Sequence, residues 1–248
     1  SSSRDRQQLV IDQAGVERFA RYAVPPNRHG YCGPDGFGAA ASDPGRIEEM
    51  RHTAREFIGA YPYLELLAGA AALDDPLADT AVEAYWIGNP TVRRVTTADF
   101  GHSVIDRFRA RSGRMWEHVE LAVPGALCSH AFHVFVISPW VGLMRDGVVD
   151  EPLSIVDDCR VSWGTVVAVG PGLVATVDRT PLEWVGGRLV PGIPQNVEVR
   201  CELDVGVGDV VALHWECVCD VLSSTQLAWL RYITNSQLAL AASIGRPC

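Results

Sequence analysis

Val161-Ser162-Trp163-Gly164-Thr165-Val166-Val167-Ala168-Val169, closed by Gly170-Pro171-Gly172, is a run rich in β-branched residues that ends on turn residues. A run of this kind reads as a strand. Others of the same texture follow at 173–178, 183–190, 197–203 and 210–220, with Gly186-Gly187 and residues 206–209 supplying turns. Five short strands at this spacing predict a small OB-like β-barrel. Behind them, Ser223-Ser224-Thr225-Gln226 matches a capping box, and Leu227, Leu230, Ile233 and Ala241 continue as one face of a C-terminal helix.

Upstream the texture is helical. Val16, Phe19, Ala20 and Ala23 form one stripe around residues 12–22. Asp43-Pro44 has the pattern of an N-cap followed by proline at the first helical position, with Ile47, Met50, Ala54, Phe57 and Ile58 as the apolar face. Helices are also predicted over 63–73 and 77–87, separated by Asp74-Asp75-Pro76, and over 97–111, closed by Gly113. Residues 25–36 are too dense in glycine and proline for a regular element and predict a loop folded onto the body. The chain therefore reads as α+β: a mainly α-helical domain over 1–150, then a barrel domain with its terminal helix over 151–248.

Composition narrows the chemistry. Hydrophobic residues are 48% and charged residues 21% of 248, an ordinary globular balance. The net charge of −9 offers no basic surface for tracking phosphates, so nucleic acid is not an expected partner. The first twenty residues lack an apolar stretch, and neither a secretory signal nor a membrane span is expected. Seven cysteines without such a signal point to reduced thiols and a cytoplasmic setting. Walker, GxGxxG, GxSxG and CxxC patterns are missing, so no organic cofactor is expected.

Thiols and imidazoles are the candidate chemical groups. The richest cluster is Cys128-Ser129-His130-Ala131-Phe132-His133, with Glu117, His118 and Glu120 just before it. On a helix, His130 and His133 would be i,i+3 neighbours able to share one metal, joined by His118; on a strand they would face opposite sides. The apolar run 132–137 shows no period that decides between the two, and packed interior histidines are the alternative to ligands. Cys32, in the glycine- and proline-rich loop, is a further candidate thiol.

Two stretches carry a resemblance to a known family. Cys159-Arg160-Val161-Ser162-Trp163-Gly164-Thr165-Val166 resembles the C-x-x-x-P-G-x-V signature that opens the HypC/HupF hydrogenase-maturation chaperones, with Trp163 at the proline position. Val207-Gly208-Asp209-Val210-Val211-Ala212-Leu213-His214 is similar to their second signature, V-G-D-[YW]-V-[LI]-V-H. The resemblance implies that Cys159 and His214 bind metal, with iron as the expected metal, either as an ion or as an iron–cyanide–carbonyl fragment. It also implies as partner a hydrogenase large subunit or a maturation scaffold protein. Cys159 departs from the family in lying far from the N-terminus. Asp157 and Asp158 beside it are expected to disfavour its thiolate. Cys217 and Cys219 stand where the family is usually apolar; on one continuous strand they would face away from His214. The helical part resembles an actinobacterial family of unknown function through Tyr31-Cys32-Gly33-Pro34 and Ala84-Tyr85-Trp86-Ile87-Gly88-Asn89-Pro90. An accessory protein for nickel–iron hydrogenase assembly is the first functional expectation. The second is a metal-dependent enzyme with its centre at His118, His130 and His133, making or processing a small ligand for that assembly.

Overall fold

A computed structural model describes residues 3–41, 44–112 and 116–244. The Asp43 cap and the Gly113 helix stop lie outside the described residues. The chain divides into two compact units, Ser1–Thr96 and Thr97–Cys248, so the change from helix to strand falls inside the second.

The first unit is helical: α1 (Ser3–Arg28), the short α2 (Phe37–Ala40), α3 (Ile47–Ala54), α4 (Tyr61–Ala70) and α5 (Asp79–Trp86). Phe19, Phe37 and Phe57 meet edge to face in its core, and Tyr22 stacks on Trp86. Contrary to expectation, α1 runs through Pro25 and Pro26. Both lie near its end, so the bonds they forgo, to the Arg21 and Tyr22 carbonyls, are lost only in the last turns, and Gly30 at φ 74° then stops the helix. Tyr31 N donates to the Pro26 carbonyl and Gly30 N to that of Asn27, the paired bonds of a Schellman stop. The loop that follows is held as predicted, with Asn27 Nδ2 donating to the carbonyls of Cys32 and Pro34. The helix expected to reach Ile58 ends at Ala54, which leaves Ile58 exposed.

In the second unit α6 (Thr97–Ser112), α7 (Trp116–Ala122), α8 (His130–Phe132), α9 (Trp140–Arg145) and α10 (Asp150–Cys159) precede the strands, and α8 continues as a π-helical turn over His133–Ile137. Among the described residues, no helix is long and apolar enough to cross a membrane. Strands follow: β1 (Ser162–Val169), β2 (Val174–Arg179), β3 (Leu182–Val185), β4 (Arg188–Pro191), β5 (Gln195–Arg200), β6 (Val210–His214) and β7 (Cys217–Val221). The barrel closes in the order β1-β2-β5-β7-β6, OB-like, around Val166, Val177, Val199, Val211, Leu213 and Val218. Five strands were expected, but not these five. Residues 183–190 fold as a separate β3–β4 hairpin on the Gly186-Gly187 turn, and 210–220 is two strands joined at Trp215-Glu216. The β5–β7 seam consists of one parallel pair, Arg200 opposite Cys217.

Terminal helix α11 (Ser224–Ile244) begins on the predicted capping box: Gln226 N donates to Ser223 Oγ, and Ser223 N to Gln226 Oε1. It buries Leu230, Ile233 and Ala241 together with Gln237, which accepts from Leu127 N and donates to the Gly125 carbonyl. Arg231 on α11 lies over the Trp163 ring, 5.7 Å from its centroid, so the tryptophan at the proline position of the signature ties β1 to the helix.

Candidate metal centre

Three separate elements of the second unit bring His130, Cys159 and His214 together. Ser129 starts α8: its Oγ accepts from Phe132 N, and the helix so begun points His130 inward, 6% exposed. Cys159 is the last residue of α10, not part of a loop. That helix starts with Asp150-Glu151-Pro152, acidic residues and proline in a first turn, in a stretch to which no element is assigned from sequence. His214 ends β6 at 1% exposure. One ligand atom from each of the three lies within 4.8 Å of the others. The two imidazole rings meet edge to face, with centroids 5.2 Å apart.

Hydrogen bonds fix this geometry. His130 Nε2 lies 2.8 Å from the Cys159 carbonyl oxygen. A carbonyl only accepts, so Nε2 carries the proton and the ring's lone pair sits on Nδ1. Binding of the second ring nitrogen to a backbone carbonyl is the usual way to orient a metal-binding imidazole. Burial, the neighbouring His214 and His133 hold His130 well below the ordinary histidine range, although the bond to Cys159 works the other way. The ring is therefore neutral at pH 7, as a ligand must be. Trp215 N donates to the Asp158 carbonyl, 3.0 Å, which pins the chain just before Cys159 against the β6–β7 turn.

Of the two carboxylates beside Cys159 that were expected to disfavour its thiolate, Asp157 has its charge met by two arginines. Asp157 pairs with both Arg160 and Arg179 and accepts from Leu182 N, 2.9 Å, joining the end of α10 to β2 and to the β3–β4 hairpin.

The other candidate residues stand apart from the group. His133 follows His130 on the helix, as one alternative required, but its ring packs against Phe108. His118 is half-buried on α7. Cys128 is buried, which pushes its thiol up. Cys32 is exposed in the first unit. Burial, then Arg107, pulls the His133 ring down to about 4. Native His133 thus stays neutral while the unfolded residue protonates near 6.5, so stability is retained above pH 6.5 and lost as pH falls toward 4. The full shift amounts to about 3 kcal/mol, an upper bound because water reaches part of the ring. We expect His133→Phe to flatten the decline in urea midpoint between pH 7 and 4.5; a parallel decline would count against this account.

The second unit thus defines a class: an OB-like barrel with a C-terminal helix, carrying a buried two-imidazole, one-thiol group able to hold a metal ion. The chain belongs to the family of unknown function DUF6390, which matches residues 11–246. No curated protein and no solved structure matches it.

Proposed function

We propose that this protein is an accessory factor for nickel–iron hydrogenase assembly that carries iron, bare or bearing cyanide and carbon monoxide, on His130, Cys159 and His214. One observation carries the reading. The two residues that the HypC/HupF-like signatures select, 55 positions apart in sequence, share a single group with a third ligand from α8. A thiolate with two neutral imidazoles suits a first-row metal of borderline softness, and three protein ligands leave coordination positions for cargo. The client would be a hydrogenase large subunit or a maturation scaffold protein, met in the cytoplasm. The rival reading, an enzyme centred on His118, His130 and His133, has less support because only His130 of those three stands in the group.

Metal analysis and infrared spectroscopy of anaerobically purified protein, beside Cys159→Ala, His214→Ala and His130→Ala, test the proposal. Near-stoichiometric iron in the wild type, lost in all three variants, is the expected result, and cyanide and carbonyl bands would identify the cargo. Iron retained in Cys159→Ala would overturn the assignment.

A further inference from the structure

We infer that Cys217 is a fourth ligand of this centre, which completes a two-sulfur, two-nitrogen set for a divalent first-row cation; the inference rests on the metal-centre reading above. Leu213 and Val218 are paired across β6 and β7, and both belong to the barrel core. The next pair outward, His214 with Cys217, therefore faces the other side of the ribbon. That is the side where His214 meets His130. Only Trp215 and Glu216 separate the pair, at φ 49° and 57°, a two-residue turn of the I′ kind. Directly opposed residues place their Cβ atoms about 4.5–5.5 Å apart. The turn thus brings Cys217 onto the face of His214, where an unbroken strand would have turned it away. It also places the Cys217 side of the ribbon near Cys159, because Trp215 N binds the Asp158 carbonyl.

Cys217 is half-buried, and its sulfur stands outside the three-residue group, so joining it takes a change of side-chain rotamer. Charge favours that change. Two neutral imidazoles and one thiolate leave a bound divalent ion with a net positive charge in a largely buried place, close in sequence to the buried Arg160. A second thiolate makes the assembly neutral and removes that desolvation cost. Each cysteine releases its thiol proton to solvent as its sulfur–metal bond forms, so no oxidant or reductant is needed. A tetrahedral set of two sulfurs and two nitrogens suits zinc or iron, and a six-coordinate iron held by the same four ligands keeps two positions for cargo.

Cobalt(II), added to the full metal-free chain, is the probe, because each sulfur–cobalt bond contributes its own charge-transfer absorption. We expect wild type to bind one cobalt with an intense thiolate band. Cys217→Ser should bind it with that band reduced by about half and an affinity weaker by at least the roughly 10- to 100-fold that losing an outer-shell partner costs. Circular dichroism and the urea midpoint of the metal-free forms should match, which separates ligation from folding. A Cys217→Ser spectrum and affinity equal to wild type, with Cys159→Ala still abolishing the band, would overturn the inference alone. Absence of any thiolate band in wild type, or an undiminished band in Cys159→Ala, would overturn the underlying metal-centre reading as well.

Discussion

Gly164→Ala should unfold the barrel or shift its urea midpoint far down. A Cβ at this position would lie 2.5 Å from the Asp178 carbonyl oxygen and closer still to Val177 Cγ1. Gly164 is paired with Arg179 across the β1–β2 ladder and with Val211 across β1–β6, so β1 is held on both sides and cannot step away. Overpacking a core ordinarily costs about 1–3 kcal/mol. Here the obstruction includes a backbone oxygen, which has no rotamer to change, so the cost should reach the top of that range or exceed it. Far-ultraviolet circular dichroism and urea titration read the effect. A midpoint within the error of wild type would show that β1 and β2 can separate without loss.

The second large effect is expected at Asp157. Its carboxylate takes Arg160 Nε at 2.9 Å, pairs with Arg179 and caps Leu182 N. The side chains of Asp157, Arg160 and Arg179 are only 13%, 6% and 11% exposed. Asp157→Ala leaves two largely buried guanidinium groups without their shared carboxylate, a change that typically costs about 3–5 kcal/mol. The Thr180 carbonyl, which accepts from Arg160 Nη2, softens the loss at one of them. Because Asp157 is two residues from Cys159 and the network also holds the β3–β4 hairpin, metal affinity should fall with stability. Chemical denaturation measures the first effect and cobalt titration the second. A stability loss below about 1 kcal/mol, the value of an exposed pair, would show that solvent reaches these arginines freely.

Particular residues show where the sequence was legible. Strand texture and the Ser223–Gln226 capping box identified the barrel and α11, because both signals are local. The partition of the strands was misread at Trp215-Glu216, since a two-residue turn built from tryptophan and glutamate lacks the glycine or asparagine that usually announces positive φ. Residues 150–159 were given no element, although Asp150-Glu151-Pro152 is a helix-start pattern; the strand texture that begins at Val161 drew the domain boundary over it. At 130–137 the apolar run hid the period and left helix and strand both open; Ser129, which serves as the N-cap, is the local signal that was passed over. Cys159 and His214 were selected by the signatures and His130 by its own cluster, in what had looked like two separate sites. Their union could not be read along the chain, because it depends on how α8 and α10 pack beside β6.

The single-pair seam between β5 and β7 has a consequence for how the protein opens. Arg200 and Cys217 form its only ladder pair, supported by Arg200 N donating to the Glu216 carbonyl. Among the barrel's strand pairings this one has the fewest bonds to break, so local opening of the barrel is expected to begin here. Residues 214–217 belong both to that seam's edge and to the wall of the His130–Cys159–His214 group. Opening of the barrel at this seam is therefore expected to loosen the group as well.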